Sequence, residues 1–202
     1  MGIAILGAGN LGRTLGKKWA LAGHTVLFGS RDLESPKVKT LIESYPEARV
    51  VSLAEAINGS RVILFATPYT AVSEIVQEYA ENLADKLIFD ATNNFGFSVV
   101  NNLETIAHFV PTACLYRAFN ASGWENFADP IYGEEFIDLF YCGADDENRP
   151  LVEDLIYQIG LRPVWVGDLD LAPVVDALGT LWVTLVFRRG LGRGIALKLL
   201  SR

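Results

Sequence analysis

Thiols and imidazoles are scarce in this chain: two cysteines and two histidines among 202 residues. Cys114 and Cys142 both lie inside apolar runs, the setting of buried reduced thiols rather than of a disulfide or a metal site. Basic residues are outnumbered, 17 to 24, for a formal net charge of −7. That balance argues against general binding to nucleic acid or to an anionic membrane surface. Membrane-length apolar runs are also missing. The most apolar late stretch, Leu178 to Phe187, is far shorter than the roughly 20 residues that span a bilayer, and Asp176 and Arg188-Arg189 bracket it. The first strand-like run begins so close to Met1 that no secretory signal fits before it. The expectation is a soluble, cytoplasmic protein. Repeats, low-complexity tracts and linkers are absent as well.

What is present is a full complement of core residues, half of the chain being hydrophobic. Strand-like and helix-like segments alternate almost throughout. Ile3–Leu6, Thr25–Phe28, Arg49–Ser52, Val62–Ala66, Leu87–Ala91, Thr112–Ala118, Ile137–Cys142 and Pro163–Val166 read as strands. Several are continuous apolar runs, as expected of parallel strands covered on both faces. Leu11–Ala22, Leu53–Ile57, Ala71–Leu83, Asn101–His108, Ser122–Phe127 and Arg149–Ile159 read as helices. This alternation predicts an α/β fold, a doubly wound parallel sheet of about eight strands. From Pro173 to Leu200 the pattern is helical only. Residues 1–170 therefore form a Rossmann-type domain and 171–202 a C-terminal helical element. Ala172, Val175, Leu178, Gly179, Trp182 and Val186 share one helix face, with Leu181 and Leu185 on a second. A helix so apolar all round needs more cover than one sheet face supplies. Either it contributes to a homodimer interface or it is buried within its own subunit.

Gly7-Ala8-Gly9-Asn10-Leu11-Gly12 follows the first strand and opens a helix. In that context the G-x-G-x-x-G spacing means dinucleotide binding. One glycine allows the tight turn, the next lets backbone approach a pyrophosphate, and the third lets helix and strand pack closely. At the end of the second strand an NAD-preferring site carries Asp or Glu for the ribose 2′-hydroxyl. Here the chain reads Gly29-Ser30-Arg31-Asp32. A hydroxyl and a guanidinium suit a 2′-phosphate and favour NADP(H), while Asp32 pulls the other way. Lys37 and Lys39 follow closely.

In doubly wound sheets, ligands bind beyond the carboxyl ends of the strands. That rule selects Thr67, Pro68 and Tyr69 after the fourth strand, Thr92, Asn93 and Asn94 after the fifth, and Phe119, Asn120 and Ala121 after the sixth. These are small, amide, hydroxyl or aromatic groups, suited to planar rings and carboxamides. No catalytic acid or base is assigned. Tyr69, Tyr116, Arg117 and Tyr141 are the available proton donors. His24 falls in a turn at the opposite edge, and His108 at a helix C-terminus, where a cation is favoured; both read as structural. Asp145-Asp146-Glu147 reads as a helix N-terminus rather than a metal site. A site without an evident general base leans towards hydride transfer between rings, which chiefly wants stacking, orientation and exclusion of water.

With these motifs in hand, the chain resembles the coenzyme F420-dependent NADP oxidoreductases, whose dinucleotide-binding domain is akin to that of pyrroline-5-carboxylate reductases. The matching residues are Gly7–Gly12, Gly29-Ser30-Arg31, Ala66-Thr67-Pro68, Asp90-Ala91-Thr92-Asn93 and Ala118-Phe119-Asn120. Phe140–Asp146 and the closing Gly190–Gly194 and Leu199–Arg202 match as well. The resemblance implies that Ser30 and Arg31 hold the 2′-phosphate and that Thr67 and Pro68 line the nicotinamide side. It implies that a deazaflavin or flavin-like co-substrate lies near Asn94, Asn120 and Trp182. The chain departs from the pattern at Asn94 (usually Pro), Arg117 (usually Lys) and Asp32 (often basic). The sequence thus implies an NADP(H)-dependent oxidoreductase acting on a small-molecule hydride acceptor. The alternatives are a reductase of a small imine or carbonyl compound and a non-catalytic NADP(H)-binding sensor.

Overall fold

The computed structural model describes residues 1–202. In chain order the strands are β1 (Gly2–Leu6), β2 (Thr25–Ser30), β3 (Arg49–Ser52), β4 (Val62–Phe65), β5 (Leu87–Asp90) and β6 (Cys114–Arg117). They are followed by β7 (Ile131–Tyr132), β8 (Glu135–Phe136), β9 (Asp138–Gly143) and β10 (Arg162–Gly167). Eight of them form one sheet in the order β3-β2-β1-β4-β5-β6-β9-β10, and β7 with β8 makes a separate hairpin. The pairs from β3 across to β6 are all parallel. β9 then lies antiparallel to β6, and β10 runs parallel to β9. The doubly wound sheet is therefore as expected for six strands, and its last two run the other way. The reversal brings Asp138 and Arg162 to the carboxyl edge of the sheet and carries Gly143–Asp146 to the opposite edge.

Helices cover both faces. Trp19 of α1 (Asn10–Leu21), Leu41 of α2 (Pro36–Ser44), Phe127 of α7 (Trp124–Ala128) and Leu155 of α8 (Arg149–Gln158) pack with Phe28, Phe89 and Tyr116 on one side. The other side holds Leu27, Phe65 and Ile88. Ala56 of α3 (Leu53–Asn58), Val76 of α4 (Val72–Glu78) and Leu83 of α5 (Ala80–Leu83) cover them, with Ile106 of α6 (Leu103–Phe109) and Val175 of α9 (Ala172–Val183). Every residue of β4 and β5 is buried, which is why β4 and all of β5 but its last residue, Asp90, are apolar. Each large apolar side chain buried this fully contributes about 1.5–3 kcal/mol. The Trp19 indole N–H also donates to the Leu155 carbonyl, tying α1 to α8.

Several local expectations are corrected. α2 was not anticipated, although Ser35 accepts from the Val38 N–H as its cap and Pro36 stands at the first turn. The helix expected over Ala71–Leu83 is broken at Tyr79, whose φ and ψ of −115° and 24° are not helical. The β7–β8 hairpin turns at Gly133, with φ +65°. At the C-terminus the helix does not run to Leu200. It passes into a π-turn over Thr184–Arg188, and the remaining residues are irregular chain.

Leu169–Arg188 forms one helical run of 20 residues with mean hydropathy 1.6, long and apolar enough to cross a membrane by length and composition alone. Here its inner face is docked on the sheet through Ala172, Val175, Asp176, Gly179 and Trp182. Only about a third of this run is buried, and its outer face, with Val174 and Leu181, is open.

The two cysteines are free, and burial pushes the Cys142 thiol up to about 12. Cys142 is buried as expected from the sequence, whereas Cys114 is only half-buried.

Candidate functional site

β1 and β4 are neighbours, yet the chain leaves β1 towards β2 and leaves β4 towards β5. At this switch point the loops part and leave a cleft of about 530 Å³. Its floor and lips bring together Gly7 and Gly9, Ser30 and Arg31, and Ala66, Thr67 and Pro68. These come from three segments separated by tens of residues, as the carboxyl-edge rule requires. Gly7 has φ +128°, and a Cβ there would run into the Ala66 backbone. Gly12 lies under the turn, where a Cβ would meet the Gly7 carbonyl and Ile5. A Cβ on Gly9, by contrast, would meet nothing within 4 Å. The space beside Gly9 and the first N–H groups of α1 is what a pyrophosphate occupies in such a loop. Thr67 Oγ1, in the cleft lining, is buried and has no hydrogen-bond partner, a polar atom left for a ligand. The cleft therefore fits a dinucleotide. Asn10 and Leu11 sit in the first turn of α1. Asn10 Oδ1 accepts from Arg13, and Leu11 packs against the core.

At the end of β2 the side chains are engaged among themselves. The Ser30 hydroxyl donates to the Asp32 carbonyl at 2.9 Å and accepts from the Asp32 N–H at 3.3 Å. Arg31 reaches across the mouth of the cleft to Glu74 of α4, with Nη1 2.7 Å from Oε2. The Asp32 carboxylate accepts from the Glu34 N–H and so closes its own turn. Lys37 lines the cleft, whereas Lys39 pairs with Glu34 at 3.5 Å.

The acceptor-side residues lie in a different environment. Arg117 is fully buried and donates to the carbonyls of Asp90 and Thr92, to Asn93 Oδ1 at 2.8 Å and to Asp176 at 2.8 Å. Asp176 also accepts from Asn101 and Asn120, and Asn93 donates to the Asn120 carbonyl. The Asp90 carboxylate accepts from Thr92 N–H and Oγ1 and from the Asn102 N–H. Thr92 and Asn120 are thus buried members of one polar network, with Asn93 half-buried at its rim. Asn94 donates to the Val99 carbonyl and shapes its own loop. Asn120 Oδ1 remains buried without a partner. Before it, Phe119 adopts φ +62°, a left-handed conformation costing about 1–2 kcal/mol. Its ring packs edge-on to Trp19, Phe89 and Phe127.

Sequence reasoning missed Asp90 and Asp176 as the partners of Arg117. An aspartate in the last position of a buried strand, and another inside an apolar helix, were the available signals.

Of the four proton donors named from sequence, Tyr69 opens the turn that follows Pro68 beside the cleft, and the other three are engaged elsewhere. Tyr116 donates to the Ala144 carbonyl and to Asp146, and Tyr141 donates to Glu153. Burial, with those carboxylates next, pushes both phenols well above their ordinary range. Arg117 is spent in its network. Trp182 is buried, its indole N–H donates to the Ile195 carbonyl at 2.8 Å, and Arg193 lies over its ring. It anchors the C-terminal tail through that bond. His24 pairs with Gln158 on the far side, and His108 packs on Phe109. No cluster of metal-binding side chains occurs; Asp145 pairs with Arg149, and Asp146 accepts from the Asn148 N–H ahead of α8.

Residues 2–94 match the family described as NADP oxidoreductase, coenzyme F420-dependent. The chain is 26% identical to the F420-dependent NADP reductase of Methanothermobacter marburgensis over 209 residues, covering 92% of each protein. It is 25% identical to metalloreductase STEAP3 of Rattus norvegicus over 181 residues, 87% of this chain, and spans 36% of that protein's length. Among solved structures, a candidate F420-dependent NADP-reductase of Arthrobacter sp. FB24 matches along the whole of both chains, with TM-score 0.84 and 24% identity. An imine reductase of Streptomyces aurantiacus shares the fold at TM-score 0.66 and 14% identity, over 96% of this chain and 69% of that one. These similarities bear out the resemblance drawn from the motifs and the reading of the chain as an NADP-dependent oxidoreductase.

Proposed function

We propose that this protein transfers hydride between nicotinamide C4 of NADP(H) and a planar acceptor, coenzyme F420 or a flavin-like ring. The observation that carries the reading is the cleft at the switch point, where Gly7 and Gly9, Ser30 and Arg31, and Thr67 and Pro68 converge. Bound there, NADP(H) supplies the hydride. The chain's own part is to bind and orient it. The glycine turn and the start of α1 receive the pyrophosphate, Ser30 and Arg31 receive the 2′-phosphate, and Thr67 Oγ1 offers a hydrogen bond in the cleft wall. Asn93, fixed by Arg117, stands towards the acceptor side. The titratable groups beside it are held in the Arg117 network, which favours a transfer that needs orientation and exclusion of water over one that needs a proton relay. A homodimer built on the exposed face of α9, where Val174 and Leu181 stand in solvent, and a cytoplasmic location complete this reading.

The test is stopped-flow absorbance of NADPH mixed with F420, FMN and FAD in turn. Oxidation of NADPH by one of them is expected. Saturable NADPH binding with no oxidation by any would overturn the acceptor. The shared fold of the imine reductase supports one second reading, reduction of a small imine, so a cyclic imine belongs in the same series. That protein is longer by about the third of its chain this one does not cover.

A further inference from the structure

Arg31 is the cation at the end of β2, yet its fork points away from Ser30. Its Nη1 lies 2.7 Å from Oε2 of Glu74, on the opposite lip of the cleft. The guanidinium therefore rests against α4, beside the Glu74 carboxylate. Glu74 occupies the first turn of α4, where the helix dipole favours its negative charge without help from Arg31. The side chains are 44% and 69% exposed, so both can move and neither is needed for the core.

We propose that Glu74 is a selectivity residue of this cleft: its carboxylate competes with the 2′-phosphate for the Arg31 guanidinium. Resting on the reading of the cleft as an NADP(H) site, this makes the chain less selective against NAD(H) than Ser30 and Arg31 alone would dictate. A 2′-phosphate dianion and a carboxylate seek the same planar fork, and bidentate capture of one excludes the other. NADH lacks the 2′-phosphate and has nothing to gain from Arg31 leaving Glu74. An exposed ion pair is worth little, so the competition is modest and weakens with salt.

The experiment is fluorescence titration of NADPH and NADH into wild type, Glu74→Gln, Arg31→Ala and the double variant. Glu74→Gln is expected to tighten NADPH about two- to five-fold, the range of exposed ion pairs, and to leave NADH unchanged. The gain should vanish in the Arg31→Ala background and shrink at high salt. Weaker binding of both cofactors to Glu74→Gln would overturn the proposal, because it would mean that Glu74 holds Arg31 as a wall of the site. An equal gain in the Arg31→Ala background would overturn it too. Failure of the parent reading looks different: wild type binds neither dinucleotide, or Arg31→Ala weakens NADPH and NADH alike.

Discussion

The two halves of the carboxyl edge are built on opposite plans. On the β1–β2–β4 side the site is mostly backbone and exposed side chains around an open cleft, and its decisive residues are glycines. On the β5–β6 side the same edge is filled by Arg117, Asp90 and Asp176 with their amide and hydroxyl partners, nearly all buried. The first half spends little stability on function, because a turn of glycines needs few partners. The second half commits a buried cation to two carboxylates, and each remaining lone pair or N–H must then be satisfied. The glycine side is open, whereas the Arg117 network holds the β5 and β6 loops in one arrangement.

The contrast is sharpened most by Arg117→Met. Removing one partner leaves Asp90 and Asp176 uncompensated, at a cost of about 3–5 kcal/mol. Urea unfolding should register it as a large fall in midpoint; a loss below about 1 kcal/mol would show that the network is not held by its charge. Next comes Gly7→Ala. The positive φ and the neighbouring Ala66 backbone predict about 1–3 kcal/mol of strain. NADPH titration should show binding lost with the fold retained, whereas equal binding to wild type and variant would remove the turn from the site.

The smallest effect concerns the tail. Bonds from Arg193 hold the Glu125 carboxyl below its ordinary range. A depressed carboxyl stabilises the fold above its unfolded pKa, and that contribution is lost as pH falls through the folded value. The pair is partly exposed, so no more than about 0.5–1 kcal/mol is expected. Protection factors of the tail amides, taken relative to intrinsic exchange at each pH, should fall as pH drops from 5 towards 3, while those of α1 hold.

Much of the cofactor side was legible because its signals are local. A strand, a glycine turn and a helix need only a dozen consecutive residues, and Ser30-Arg31 follows its strand directly. Alternation of apolar and helical runs likewise disclosed the six parallel strands. α2 was legible too, through Ser35-Pro36 and the spacing of Val38 and Leu41, although it was passed over. The tail was not: its bonds run from Asn126 and Trp182 to the carbonyls of Arg193 and Ile195, and side chain-to-backbone pairing of that kind leaves no periodicity. Trp182 looked like a ligand wall for the same reason, since an indole on an apolar helix carries no mark of what its N–H will meet.

The glycine turn, the six parallel strands and the Ser30-Arg31 pair proposed for the phosphate were set by neighbours along the chain. Only the tertiary structure decided the reversal of β9 and β10, the meeting of Arg117 with Asp176 across 59 residues, and the engagement of Arg31 by Glu74 across 43. Those depend on which surfaces pack together. Burial and charge pairing act through space, and separation along the chain carries no record of them.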